Sequence, residues 1–154
     1  MKKFLLSICL VSSSLFVFTE DTVSDIFKAN YKNQLFMNVE AALADAQSEL
    51  GIIPNWAAEE ITSKTDIKYL SQKEIDTEHK LVRHTLVARL NVWKRSIDKG
   101  AAEYLHYGAT TVDIWDTVLV LQIKDSIDLL IDDLLEIEDY LLTLTKDNLS
   151  LIHI

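Results

Sequence analysis

Eight consecutive residues form the densest group of side chains in this chain that could do chemistry together: His106, Tyr107, Gly108, Ala109, Thr110, Thr111, Val112 and Asp113. An imidazole, a phenol, two hydroxyls and a carboxylate fall in one glycine-containing turn, which runs straight into the longest apolar-periodic segment of the sequence. Thr110 followed three residues later by Asp113 is a capping-box pattern, so a helix is expected to start there. A helix start presents unpaired N–H groups and the positive end of its dipole, and Gly108 lets backbone approach a ligand closely. The hydroxyls of Thr110 and Thr111 and the ring of His106 could add donors to the same carboxylate or phosphate. The plainer reading of the same residues is a tight turn and a helix cap with nothing bound, because caps far outnumber anion sites.

The elements that must position this turn read as helices. Three glycines and one proline in 154 residues leave too few turn residues for a many-stranded β fold. Leu, Ile, Ala, Asp, Glu and Lys dominate, which favours an all-α class. A hydrophobic share of 49% excludes a disordered chain, and the length suits one domain with a real core. From Asn33 to Leu50, the residues Leu35, Val39, Ala42, Ala46 and Leu50 recur at helical spacing, with Glu40, Asp45 and Glu49 off that stripe. Gly51 and Pro54 should end this helix, and Asn55 is placed to cap a short one running through Ile61. Thr62 to Lys80 is polar and poorly periodic. Val82, Leu86, Leu90, Trp93 and Ile97 then mark a further helix, ended by Gly100.

The last element has the clearest pattern. Ile123, Ile127, Leu130, Leu134, Ile137, Leu141 and Leu144 form a heptad seam, widened by Ile131, Leu135 and Leu142. Asp125, Asp128, Asp132, Glu136 and Asp139 line an acidic face, read as a solvated surface rather than a metal array. A helix from Asp113 to Asp147 would be about 50 Å long. Such a rod cannot bury two apolar seams within a chain this short, so it calls for partner helices from elsewhere.

Charge and cysteine content narrow the function further. A net charge of −9 argues against nonspecific nucleic-acid binding. A single cysteine, Cys9, excludes an internal disulfide framework and a Cys-rich zinc site. The four histidines, His79, His84, His106 and His153, show no metal-ligand spacing, and no metal or organic cofactor is expected. Met1-Lys2-Lys3, the apolar run Phe4 to Val11 and Ser12 to Ser14 have the form of a signal peptide, or else of a native element that packs on the domain. The serines interrupt the run too often for a membrane span, and no membrane partner is expected.

The block His106 to Asp113 resembles the first signature region of the fumarase/aspartase superfamily, in the branch holding adenylosuccinate lyase and 3-carboxy-cis,cis-muconate cycloisomerase. That branch reads His-Tyr/Trp-Gly-Ala-Thr-Thr/Ser-Gln-Asp-Ile/Val, then Asp-Thr and an apolar helix. The segment HYGATTVDIWDTVLVLQIKDSIDLL follows it closely. Two more blocks match in order: Asn38 to Pro54 is similar to the family's first-helix segment, and Arg83-His84-Thr85-Leu86-Val87 to its Thr-x-His-x-x-Val-Pro segment. The likeness runs from about Phe18 to Asp147. Val112 stands where the family usually has Gln, which touches substrate preference, and Ala88 where it usually has Pro.

The resemblance implies a helical-bundle lyase that eliminates across a dicarboxylate-type substrate. A base removes a proton beside a carboxylate, and an acid assists the leaving group at the next carbon. It implies that Thr110 and Thr111 bind a substrate carboxylate, that His84, His106 and Tyr107 belong to the substrate pocket, and that Asp113 holds the turn. A histidine such as His84 on a helix face is otherwise a packing or surface residue. The family's two downstream regions, a Gly-Arg-Thr-His type segment and a Gly-Ser-Ser-x-Met-Pro-x-Lys type loop, are missing; Pro54 is the only proline. No catalytic acid or base is therefore assigned here, and the chain is expected to be an inactive amino-terminal portion of a homotetrameric enzyme.

The expected organisation is a signal-like or extra segment at 1–17, an amino-terminal helical domain at 18–112 and the start of a central helical bundle at 113–148. Residues 149–154, LSLIHI, are what a transposon-type sequencing adapter would encode, so they are expected to be an artefactual tail and His153 is set aside. The family's intracellular chemistry favours the cytoplasm, with secretion or a periplasmic location as the alternative. The rival function is a noncatalytic helical oligomerisation or interaction module, which uses the heptad seam and keeps the Thr-Thr turn only as a cap.

Overall fold

The computed structural model describes residues 22–148, so the signal-like segment 1–17 and the tail 149–154 lie outside the described residues. Those described form α1 (Val23–Ile26), α2 (Ala29–Glu49), α3 (Asn55–Ser63), a 3₁₀ turn (Ile67–Tyr69), α4 (Gln72–Val82), α5 (Thr85–Lys94), α6 (Lys99–Ala102) and α7 (Thr111–Asp147). No strand occurs among them. Helix α2 packs on α3 and on α7, α4 on α5, α3 on α6, and α1 on α7.

The core is built around Phe36 and Trp93, both fully buried. Trp93 meets Phe36 edge-on at 6.1 Å, and Trp115 of α7 covers Phe36 at 5.6 Å. Met37, Ile61, Leu86, Ile114 and Val118 close around them. The Trp93 indole N–H donates to the Lys64 carbonyl at 2.9 Å, so the largest core side chain leaves no polar atom stranded.

The face that α2 turns inward differs from the expected stripe. Ala42, Ala46 and Leu50 are exposed, and Leu35 and Val39 are only half-buried. The buried positions are Asn33, Gln34, Phe36, Met37, Glu40, Ala41 and Ala44. Three of these seven are polar, and partners far away in sequence make their burial tolerable. Asn33 accepts from Arg89 Nε at 2.8 Å and donates to Gln72 at 3.2 Å. Gln34 accepts from the Ile67 N–H at 2.9 Å. Apolar periodicity sees none of these long-range bonds.

Boundaries depart from expectation in four further places. Asn55 is the first residue of α3, with Pro54 at the N-cap; its amide accepts from Ser48 at 3.2 Å and donates to Glu59 at 2.6 Å instead of capping. The polar stretch up to Lys80 contains the 3₁₀ turn and most of α4, which buries only Ile75 and so shows little apolar pattern. The helix expected from Val82 to Ile97 is two: left-handed Arg83, φ 52°, ends α4, and His84 caps α5. Gly100 lies inside α6, where Asp98 accepts from its N–H at 3.0 Å; a Cβ there would come within 3.2 Å of Trp56. Gly51 does follow the end of α2 in the left-handed region, at φ 70°.

Helix α7 runs unbroken for 37 residues, about 55 Å. It buries Ile114, Val118, Gln122 and Ser126 against the rest of the chain. Gln122 donates to the Ile26 carbonyl at 2.7 Å and ties α1 to the rod. From Leu130 to Asn148 every residue is exposed, the heptad seam included. No helix among the described residues is long and apolar enough to cross a membrane.

Candidate functional site

The turn ahead of α7 is gripped from two sides. On the α7 side, Thr110 is the N-cap of a complete capping box. Its N–H and its hydroxyl both donate to Asp113 Oδ2 at 2.9 Å, and its oxygen accepts from the Asp113 N–H at 3.5 Å. These bonds, the backbone one first, hold the Asp113 carboxyl below its ordinary value of 3.8. The Thr110 hydroxyl is thus committed to the cap. Thr111, the first helical residue, is half-buried, and its hydroxyl makes no hydrogen bond among the described residues. Its N–H and that of Val112 belong to the first turn, where a helix has no acceptor of its own.

On the other side, two residues of α2 reach the turn. Glu40 and Gln47 lie two helical turns apart on one face. Glu40 Oε1 lies 2.7 Å from His106 Nδ1, and Gln47 Nε2 donates to the Tyr107 carbonyl at 2.7 Å. The Glu40 side chain is fully buried and that of His106 is 17% exposed. Burial pushes the Glu40 carboxyl above its ordinary value of 4.5, against the opposing pull of His106 and of Lys94. The grip coincides with an uncommon backbone: His106 has φ 63° and Gly108 φ 69°. A non-glycine residue held left-handed costs on the order of 1 kcal/mol or more, and persists where its surroundings over-determine it.

His84 belongs to a different junction, at the start of α5. Its Nδ1 accepts from the Val87 N–H at 3.3 Å, so the neutral ring carries its proton on Nε2. It is exposed and follows Arg83, the other left-handed non-glycine residue among those described. The structure therefore brings together His106, Tyr107, Thr110, Thr111 and Asp113 in one turn, and holds His84 by its own helix. Tyr107 is 49% exposed, its ring 6.2 Å from Tyr104. Among the described residues, no cluster of three His, Cys, Asp or Glu side chains is placed to hold a metal ion.

Glu40 and Gln47 lie off the apolar stripe that the sequence pattern marks on α2, so that pattern does not single them out. Their signal was there: Phe36, Glu40 and Ala44 share a helical face, so an inward phenylalanine drags a carboxylate inward with it.

No family model matches the sequence. The chain is 38% identical over 123 residues to an adenylosuccinate lyase of Methanocaldococcus jannaschii, covering 80% of this chain and 27% of that one. It is 37% identical over 123 residues to the adenylosuccinate lyase of Methanothermobacter thermautotrophicus, again covering 80% and 27%. Among solved structures it is similar to the β-carboxy-cis,cis-muconate cycloisomerase of Acinetobacter calcoaceticus, with a TM-score of 0.62 and 30% identity over 67% of this chain and 25% of that one. The chain spans about a quarter of the length of these relatives. Sequence and helical fold agree on one lineage, and the chain belongs to the fumarase/aspartase superfamily, on the branch of the adenylosuccinate lyases and carboxymuconate cycloisomerases.

Proposed function

We propose that this chain is the amino-terminal, substrate-binding portion of a lyase or cycloisomerase that acts by β-elimination, or its reverse, on a dicarboxylate-type substrate. The observation that carries this reading is the turn itself. A left-handed histidine fixed by a buried carboxylate leads into a capped helix start with an unbonded threonine hydroxyl. Thr111 and the first-turn N–H groups suit a substrate carboxylate, His106 and His84 offer ring nitrogens, and Tyr107 offers an exposed phenol. Thr110 and Asp113 keep the turn in shape. The acid and base of the reaction would come from sequence beyond the regions matched here, so the chain alone is expected to be inactive. The same reading makes residues 113–148 the opening rod of a bundle in a homotetramer, with 18–112 as a domain of its own, and places the protein in the cytoplasm.

Assaying this chain with adenylosuccinate and with carboxymuconate should give no turnover. The complete gene product should turn over one of them. Failure of the complete product on both, and on other succinyl adducts, sinks the lyase reading.

The exposed seam on α7 favours the second reading, a noncatalytic helical interaction module, exported if the signal-like start is cleaved. That module would bind no dicarboxylate at the turn. An intact Met1-Lys2 start in the mature protein, read by mass spectrometry, removes export.

A further inference from the structure

We propose that Glu40 is a positioning residue for His106: its buried carboxylate seats the imidazole through Nδ1 and leaves Nε2 as the nitrogen that meets the substrate. This rests on the reading of the turn as a substrate site and adds to it a residue from another helix. The Glu40 side chain is fully buried, while the His106 side chain keeps 17% of its exposure. Nδ1 is 2.7 Å from Glu40 Oε1. Nε2 makes no hydrogen bond among the described residues and is not a buried orphan, so this nitrogen keeps some contact with solvent.

A buried carboxylate is a costly way to hold a ring if packing alone is at stake. A leucine of similar volume would fill the space without desolvating an ionisable group. Glu40 Oε2 is itself buried with no partner among the described residues, which adds to that cost. What the carboxylate does supply is direction. An imidazole can turn over or exchange tautomers, and a hydrogen bond to one nitrogen decides which nitrogen faces outward. The charged groups that act on the pair are Lys94 of α5, which favours the ionised carboxylate, and Asp113 of α7, which feels the charge of His106. Gln47, on the same face of α2, fixes the backbone one residue on through the Tyr107 carbonyl. Helix α2 thus sets both the ring and the peptide that bears it.

The test uses this 154-residue chain, labelled with ¹⁵N at histidine, in long-range nitrogen–proton correlation spectra without ligand. In the parent, His106 should show one fixed arrangement with Nδ1 engaged. Glu40→Gln keeps an acceptor at the same place and should preserve it, whereas Glu40→Leu should release the ring to the averaged signal of a free imidazole. A free ring in the parent overturns the proposal without any variant, and so does a ring that stays fixed in Glu40→Leu. Succinate is then titrated as the probe. Glu40→Leu should bind it about tenfold more weakly than the parent and Glu40→Gln within about twofold, because a doubly protonated ring donates Nε2–H to succinate in a fixed direction only while its Nδ1–H is held by an acceptor at position 40. If succinate leaves the spectra of the parent unchanged, the substrate-site reading fails, while the ligand-free spectra still decide whether Glu40 holds the ring.

Discussion

Helix α7 carries two stripes that meet opposite fates. Ile114, Val118, Gln122 and Ser126 step along one face and are buried against this chain. Ile123, Ile127, Leu130, Leu134, Ile137, Leu141 and Leu144 step along another and are exposed throughout, from 45% at Ile123 to 63% at Leu134. The more apolar stripe is the one left in solvent. The buried one holds two polar residues, each with a hydrogen bond: Gln122 to the Ile26 carbonyl and Ser126 to the Gln122 carbonyl. The inner stripe is therefore matched to partners already present. The outer one is a contiguous apolar surface of the kind that marks an association site.

The largest expected effect separates the two regions outright. Trp93→Ala empties the centre of the packed half, where the ring is fully buried and touches Phe36. It should cost about 3–5 kcal/mol of unfolding free energy. Leu134→Ala, on a side chain 63% exposed, should change the stability of the dilute monomer by about 0.5 kcal/mol or less. Denaturant titration by circular dichroism measures both, and equal losses would mean that the outer seam is packed on this chain after all.

A smaller effect sharpens what the outer seam is for. Ile127→Asp with Leu134→Asp puts two charges into a surface meant for other helices. If copies of this chain associate through the seam, the double substitution should weaken association about a hundredfold, some 2.7 kcal/mol. Sedimentation velocity across a concentration series reads it. The same weight-average mass for parent and variant at every concentration argues against self-association through this face.

The two stripes also show what was legible in advance. The heptad seam is legible because apolar residues repeat without interruption, and it is exposed, as expected of a rod too long for this chain to cover. The inner stripe was missed because Gln122 and Ser126 break it. Helix α2 behaves in the same way: Asn33, Gln34 and Glu40 are buried through bonds to Arg89, Ile67 and His106, all outside α2 and far from it in sequence. Periodicity registers apolar burial and is blind to polar burial satisfied at long range. The capping box at Thr110 and Asp113 was readable because its bonds are local. The Arg83 break was not, since left-handed arginine has no composition cue.

The smallest effect tests that local cap where the two regions join. Thr110→Ala removes the hydroxyl that bonds Asp113 and should cost about 1 kcal/mol at neutral pH. Its pH dependence has a definite sign. The Asp113 carboxyl is held below 3.8 in the folded chain, so the stability it contributes is present above that value and is lost as the pH falls through its lowered folded value. With part of that hold gone, the variant has less to lose, and the gap between parent and variant should narrow on acidification. Glu40 acts in the opposite sense: its raised carboxyl costs stability as the pH climbs from 4.5 through its folded value, a cost that both proteins share and that cancels in their difference. A gap that stays constant down to the acid limb would mean that the Thr110 hydroxyl caps the helix without setting the ionisation of Asp113.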